Sequence, residues 1–494
     1  MYEPGVSPGA RRELLVAAPI PHVLRNFLAA GLVAELEEAF GLAPEFISPY
    51  PQADFGSTTG RRYTNHFLPA VPGAWGVPAV EGVTALDRAF KSVHLTGFSL
   101  EYPDGSLLTI GLSERPSVQW VIARVLTLLA PRRSGLRRAL RDLYGRYRPS
   151  KAKIQAVFDA VQPSVVLVAS PGHLWLDHFV LDEAHRRGIP SVCIVLSWDN
   201  LYSRGPMCRR PDHLMVWSEE MRRQAIDVHQ FPRDRISVVG PLQFQPYAEP
   251  VTAEEISRMR AKVGLGPTEP YLAYVCGART AQYDVEDVLE LTARLRSGPY
   301  RDHRVVVRPH PQGSRAAYES LLQHGILLDR SPDLTDARTP PDILDRDAIR
   351  HMASFLRGAR FAVSSWGTTA LLEACVFDTP SVQLRWMDAL PRSAPDEVQL
   401  VRYFQRYIHM RAFDETGARL YCDDPASLNA VLADLDARRP EYSARRAAAV
   451  ERLTCLPLGQ VVERVRDAFQ PIVASGTGHQ PPAEPSIAGT RSSA

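Results

Sequence analysis

Short apolar runs alternate along this chain with longer segments in which apolar residues return every three or four positions. The first run, Leu14-Leu15-Val16-Ala17-Ala18, is closed by a loop holding Pro19 and Pro21. From Leu24 to Phe40 the apolar side chains recur at helical spacing, so a strand is predicted over 14–18 and a helix over 24–40. Phe46-Ile47 opens a second strand. Further on, strands are predicted at 164–169, 191–196, 213–217 and 236–239, with helices at 176–187 and 219–229; Gly188 supplies a helix stop. A proline-bearing connection over 246–270 contains a polar helix at 253–263. Beyond it the alternation repeats, with strands at 271–276, 304–307, 325–328, 361–364 and 381–384 and helices at 285–296, 318–324, 348–357 and 368–376. Helices over 425–435 and 438–469 close the pattern. Strands separated by helices of this length form parallel sheets with right-handed crossovers.

Three stretches depart from the pattern. Residues 50–115 are rich in Gly, Pro, Ser and Thr and read as loops or an insertion. A helical segment near 119–153 carries Arg132, Arg133, Arg137, Arg138, Arg141, Arg146, Arg148, Lys151 and Lys153 behind the apolar stretch 121–129. It reads either as a solvated helix or as a surface, 132–153, for an anionic membrane or acceptor. Residues 471–494 are expected to form a disordered tail.

At 494 residues the chain exceeds what one core supports, so two domains are expected. The boundaries fall at 1–245, with the insertion over about 50–153, and at 246–470. A net charge of +2 speaks against a nucleic-acid partner. The six cysteines lie far apart with no CxxC pair, as buried reduced thiols would. Prolines interrupt the first apolar run, and no run of about 18 apolar residues exists, so a cytoplasmic protein is expected, with at most a peripheral contact at the inner membrane face.

No GxGxxG follows a strand and no GxxxxGK[ST] occurs, which excludes the common dehydrogenase and P-loop readings. Asp345-Arg346-Asp347 is a DxD, but it falls in a loop before a helix and reads as a cap or a surface group; no metal and no cofactor are expected. Three loops at strand ends are richer in chemistry. Arg308-Pro309-His310-Pro311 presents a phosphate fork and an imidazole on a loop stiffened by two prolines. Ser364-Ser365-Trp366-Gly367-Thr368-Thr369 leads into the helix bearing Glu373, placing N–H groups and hydroxyls at a helix start where a diphosphate binds. Gly277-Ala278-Arg279-Thr280 permits close backbone approach beside an arginine. Each loop has a plainer role as a turn or a helix cap. The donor-binding candidates are Gly277, Arg279, Arg308, His310, Ser365, Thr368, Thr369 and Glu373, with Glu373 within reach of ribose hydroxyls.

Ser197-Trp198-Asp199-Asn200-Leu201-Tyr202-Ser203-Arg204-Gly205 resembles the SWDNLTSKG stretch of a bacterial glycosyltransferase-like family. Val216-Trp217-Ser218-Glu219, then His229, Pro232, Arg235 and Gly240-Pro241-Leu242-Gln243-Phe244, are similar too, as are Arg308-Pro309-His310-Pro311-Gln312 and Arg25-Asn26-Phe27-Leu28. The likeness runs from about 14 to 435, is poor over 50–150, and extends more loosely to CDP-glycerol glycerophosphotransferases and capsule transferases. One position departs: Gln245 stands where relatives often carry Asp. The resemblance implies an α/β protein of the GT-B fold, two Rossmann-like domains facing across a cleft, with the donor nucleotide on the C-terminal one.

Such a protein would be a nucleotide-sugar-dependent glycosyltransferase, with a nucleotide sugar as co-substrate and an acceptor the sequence leaves open. A CDP-alditol phosphotransferase, a sugar-nucleotide epimerase and a non-catalytic binding protein fit the same fold. His22, in the first strand-to-helix loop, is the leading candidate for the base that takes the acceptor proton. Asp177, Asp199 and His173 are its rivals, and Asp199-Asn200 reads equally as a turn former.

Overall fold

The structure, a computed structural model, describes residues 12–56, 60–71, 79–80, 151–203, 207, 209–227, 229, 231–277, 281–310, 315–330, 346–386 and 408–475. Most of the basic segment, Arg279, Pro311, Gln312, Asp345 and the tail from 476 lie outside the described residues.

Two parallel sheets form the body. The first is built from β1 (Arg12–Ala17), β2 (Leu42–Ser48), β3 (Asp54–Gly56), β4 (Arg62–Phe67), β7 (Val165–Val168), β8 (Ser191–Ile194), β9 (His213–Val216) and β10 (Ile236–Val238). Its eight strands run in the order β10-β9-β8-β7-β1-β2-β4-β3, and only β3 is antiparallel. The short strands β5 (Ala70–Val71) and β6 (Ala79–Val80) pair with each other. The second sheet holds β11 (Tyr271–Val275), β12 (Arg304–Arg308), β13 (Leu327–Leu328), β14 (Phe361–Ser364), β15 (Ser381–Leu384) and β16 (Arg419–Cys422). Its order is β13-β12-β11-β14-β15-β16, parallel throughout. Every residue of β7, β8, β11, β14 and β15 is buried, as strands covered by helices on both faces require.

Several boundaries differ from the sequence reading. The helix predicted over 24–40 is two helices, Pro21–Ala29 and Leu32–Phe40. Gly31 between them sits at φ +80, a left-handed conformation that ends one helix and starts the next. The helix predicted over 438–469 is also two, Arg439–Leu453 and Val461–Ser475, parted at Pro457. Residues 471–475, expected in the tail, complete the second of these. The strands β3, β4 and β16 carry too weak a period to be foreseen. The turns around 315–324 form a 3-10 helix, Arg315–His324, rather than an α-helix.

The last helix returns to the first sheet. Val461, Val465 and Phe469 are fully buried in one cluster with Leu14, Val16 and Leu36, and Phe469 stacks on Phe40 with ring centroids 6.1 Å apart. Arg466 pairs with Glu35 at 2.9 Å. Gln245 ties the helix start: its Oε1 accepts from the Val461 N–H at 2.9 Å and its Nε2 donates to the Gly459 carbonyl at 2.6 Å. An amide both donates and accepts, which a carboxylate cannot do.

The connection between the sheets is pinned from one side chain. Arg350 donates to the carbonyls of Pro246 at 2.9 Å, Glu249 at 2.8 Å and Pro250 at 2.9 Å, and pairs with Glu255 at 2.7 Å. Glu255 closes a capping box with Thr252 on the helix Ala253–Val263. Tyr247 is thereby held at a fixed place beside the second sheet.

Candidate functional site

Each sheet reverses its strand order at an inner point, next to β1 in the first and around β11 in the second. A crevice opens beyond the carboxyl ends of strands at such a point. From the first sheet, the helix Pro21–Ala29 starts three residues beyond β1 and carries His22 and Arg25 one turn apart, hence on one face. From the second, β12 ends in Arg308 with His310 two residues on, and β14 leads through the 364–369 turn into the helix Thr369–Val376 bearing Glu373.

The fold gathers these groups. Arg25 lies within electrostatic reach of Tyr247, Glu373 and Arg308, and His22 within reach of Arg25 and His310. Tyr247 donates its hydroxyl to Glu373 Oε2 at 2.9 Å, and its ring packs against Phe377 at 5.0 Å and Phe244 at 5.3 Å. His22, Arg25, Arg308, His310 and Glu373 are half-buried: protein surrounds them, yet each keeps some access to solvent, as the walls of a deep cleft do.

Burial dominates the protonation of this cluster. Loss of water pushes His22 down to about 3, helped by the charges of Arg25 and His310. His310 is pushed down to about 4 by burial and then by Arg308. Burial raises the Glu373 carboxyl above its usual range, against the pull of the Tyr247 hydrogen bond and of Arg25 and Arg308. At neutral pH both imidazoles are therefore neutral, and the cations Arg25 and Arg308 face the acids Glu373 and Asp329.

Arg308 is anchored. It pairs with Asp329, whose carboxylate is fully buried and also meets His351 Nε2 at 3.0 Å. One guanidinium nitrogen is thus spent on a fixed counter-charge, which aims the rest of the fork. Around the 364–369 turn, Thr368 caps the helix, accepting from the Ala370 N–H at 3.3 Å, and Thr369 is its first residue. Ser364 Oγ donates to the Val275 carbonyl at 2.7 Å. Ser365 is buried and its hydroxyl meets Asp287 and, at 2.8 Å, Tyr274 Oη. The Gly277 N–H donates to Asp284 Oδ2 at 3.3 Å. Ser365 and Gly277, read as direct ligand contacts, make these bonds to the interior behind the wall.

The candidates of the first sheet separate. His22 lies in the gathered cluster, and its Nδ1 is buried with no hydrogen-bond partner among the described residues. Asp177 is fully buried and accepts from Ser170 Oγ at 2.6 Å, bracing the loop after β7. His173 is 8% exposed on that same loop. Asp199 accepts from Ser197 Oγ at 2.5 Å, while Asn200 Oδ1 accepts from the Ser197 N–H at 3.1 Å, a local turn that opens the short helix Asn200–Ser203. The motif stretches knit together: Asn26 donates to Gln243 at 3.1 Å, His229 Nε2 meets the Leu201 carbonyl at 2.6 Å, and Trp198 packs on Phe413 at 5.7 Å.

Sequence reasoning missed two members of the cluster. Arg25 was legible, because it stands three residues after His22 at the start of a helix. Tyr247 carries no signal in the sequence, since only the fold of the connection brings it to Glu373.

In sequence, no protein-family model and no curated protein matches the chain. In structure it is similar to S. aureus MnaA solved with UDP: TM-score 0.53 at 11% identity, over 94% of this chain and 97% of that one. The wall teichoic acid polymerase TagF reaches TM-score 0.47 at 9% identity over 94% and 89%, and a UDP-GlcNAc 2-epimerase from Neisseria meningitidis 0.47 at 12% over 93% and 100%. The fold is GT-B. At these identities the likeness fixes the architecture and leaves the reaction to the chain's own residues.

Among the described residues, no three His, Cys, Asp or Glu side chains cluster as metal ligands, and no helix is long and apolar enough to cross a membrane. Cys193, Cys276, Cys375 and Cys422 are free and buried, and Cys455 is free and half-buried. Asp347, the described acid of the DxD, lies in the first turn of the helix Arg346–Arg357.

Proposed function

We propose that this protein is a glycosyltransferase that moves a sugar from a nucleoside-diphosphate donor to an acceptor hydroxyl. The observation that carries the reading is the meeting of His22 and Arg25 from the first sheet with Arg308, His310 and Glu373 from the second. The donor nucleotide lies on the second wall, the unit from about 246 to 470, with its diphosphate at Arg308, His310 and the Thr368-Thr369 helix start, and Arg279 adding a further cation. Glu373 accepts from ribose hydroxyls. The acceptor enters from the first wall, its oxygen bonds to the anomeric carbon, and the bond to the diphosphate breaks. Arg308, Arg25 and His310 offset the charge that develops on the leaving group.

His22 takes the acceptor proton. With its value pushed down to about 3, it is by itself a weak base at neutral pH. Burial lowers both imidazoles most, and Arg25 at His22 and Arg308 at His310 lower them further; a bound diphosphate brings negative charge opposite these two cations and offsets that smaller part of the depression. Donor binding thereby makes His22 a stronger base.

A sugar-nucleotide epimerase is the second reading. It is favoured by titratable groups on both walls, His22 on one and Glu373 with Tyr247 on the other. Thermal-shift binding of UDP, GDP, TDP, CDP and CMP, followed by turnover of the matching nucleotide sugar, tests both. Epimerised donor without any acceptor supports the second; transfer that needs an acceptor supports the first; no nucleotide binding sinks both.

A further inference from the structure

Behind the second wall, the helix Ala281–Arg296 turns two buried acids toward the ends of β11 and β14. Asp284 is fully buried and Asp287 is 8% exposed. Asp284 accepts from Tyr274 Oη at 3.0 Å, from Tyr318 Oη at 3.2 Å and from the Gly277 N–H at 3.3 Å. Asp287 meets Ser365 Oγ in a short contact, and Ser365 Oγ meets Tyr274 Oη at 2.8 Å. Four side chains thus stand in a row: Asp287, Ser365, Tyr274, Asp284.

Counting hydrogens along this row decides its protonation. There are three oxygen–oxygen contacts, and each needs one hydrogen. The two hydroxyls bring one each. With both acids ionised, one contact is left as two oxygens facing each other without a hydrogen, at a cost in a dry interior. A third proton closes the row. Asp284 already receives three donors, which favour its ionised form. Asp287 receives Ser365 alone among the described residues, so the proton belongs on Asp287. The row then runs one way: Asp287 donates to Ser365, Ser365 to Tyr274, and Tyr274 to the Asp284 carboxylate.

The surroundings agree. Among the described residues, the groups acting on Asp287 are Asp284 and Glu286 from its own helix, Tyr274 from β11 and Ser365 from the turn after β14; Asp284 in turn meets Tyr318 from the 3-10 helix Arg315–His324. None of these described groups is a cation. Burial and then the two neighbouring acids push Asp287 up to about 7, against the Ser365 hydrogen bond.

We propose that Asp287 is a positioning residue which, as a neutral acid, locks the Ser365 turn to the Gly277 loop and so sets the shape of the donor wall. This rests on the donor reading above. Ionising Asp287 removes the closing hydrogen and puts a negative charge behind the place the diphosphate occupies.

The test compares wild type with Asp287→Asn, whose amide still donates to Ser365 but cannot ionise. Dissociation constants for UDP, GDP, TDP and CDP are measured across neutral pH. Between about pH 6 and about pH 8 the wild type weakens about tenfold more than the variant, because the competent fraction of a group titrating near 7 falls by that factor. The variant serves as the control that cancels the titration of the nucleotide and of the cleft histidines. Parallel profiles overturn the proposal. Ligand-free melting gives an independent reading. The acid's folded value lies above its unfolded one, so its stabilisation is present at low pH and lost as pH rises through about 7. Wild type therefore loses melting temperature over that rise relative to the variant. If Asp287→Asn does not fold, the infrared carbonyl band of a buried protonated acid is followed in Glu373→Gln, which removes the other raised carboxyl; a band present at about pH 6 and lost at about pH 8 supports the proposal, and no such band at about pH 6 overturns it. A wild type that binds no nucleotide at any pH sinks the donor reading and the positioning role with it, while melting and infrared still decide where the buried proton sits.

Discussion

The two walls of the cleft are built differently. On the second wall three groups have a brace behind or beside them: Asp329 and His351 behind Arg308, Tyr247 beside Glu373, Asp287 behind Ser365. On the first wall His22 has an unpartnered buried nitrogen among the described residues, and Arg25 bonds there to its own neighbour, Asn26, at 3.1 Å. A braced wall loses little freedom on binding and suits a ligand that is always the same, such as a nucleoside diphosphate. A wall left incomplete suits a group that arrives with the acceptor and completes it. On the proposed reading, this difference makes donor binding and proton transfer separable by mutation.

The largest effect expected is on turnover. His22→Ala lowers kcat by about 100- to 10,000-fold, the usual contribution of a placed base, while nucleotide affinity stays near wild type. Single-turnover kinetics alongside calorimetric binding checks this, and a near-normal kcat moves the base to another residue. Next comes Arg308→Ala, which removes a charge-assisted contact of about 1.5–3 kcal/mol and weakens nucleotide binding by roughly 10- to 150-fold. It also strips Asp329 of a cation, so Arg308→Lys, which keeps a charge near Asp329, separates loss of fold from loss of the fork. Unchanged binding in a folded Arg308→Ala protein breaks the assignment of this wall.

Tyr247→Phe is milder. It keeps the ring packing on Phe244 and Phe377 but deletes one hydrogen bond of about 0.5–1.5 kcal/mol, so nucleotide affinity falls about two- to tenfold in titration experiments. The smallest effect lies in acid stability. His22 and His310 have folded values below their unfolded 6.5, so the folded protein binds fewer protons and their contribution is intact above about 6.5. It is lost as pH falls toward about 4 for His310 and about 3 for His22. Melting curves of His310→Gln should show a shallower acid limb than wild type; an identical limb places the imidazole in water instead of the cleft.

The architecture was legible because stretches such as 271–275 and 361–363 are unbroken apolar runs, and such runs survive any loop detail. Breaks inside helical patterns were not: at Gly31 the apolar period continues straight across, and only the backbone conformation marks the stop. At the site, Arg308 and His310 stood out because they lie at a strand end, and Glu373 because it lies one turn into the helix that follows the Ser-rich turn. Tyr247 and the Asp284–Asp287 pair did not, for opposite reasons. Tyr247 sits in an irregular connection with no period to place it. The two acids look like the polar face of an exposed helix, and only packing against β11 and β14 turns them inward. The role of Gln245 was equally hidden, since the Val461 and Gly459 backbone groups it serves lie more than two hundred residues away.

That long reach has a consequence for how the protein is made. A chain emerging from the ribosome presents β1 first, yet the pocket that Phe40, Leu14 and Leu36 form is closed by Phe469 and Val465 from the last helix. Burying one such aromatic side chain is worth about 1.5–3 kcal/mol, a large part of a domain's net stability. The nascent first half must therefore wait, with an apolar seam open, until nearly all of the second half has been synthesised. Folding of the two halves is coupled in time as well as in space, because the seam stays open until the helix Val461–Ser475 docks.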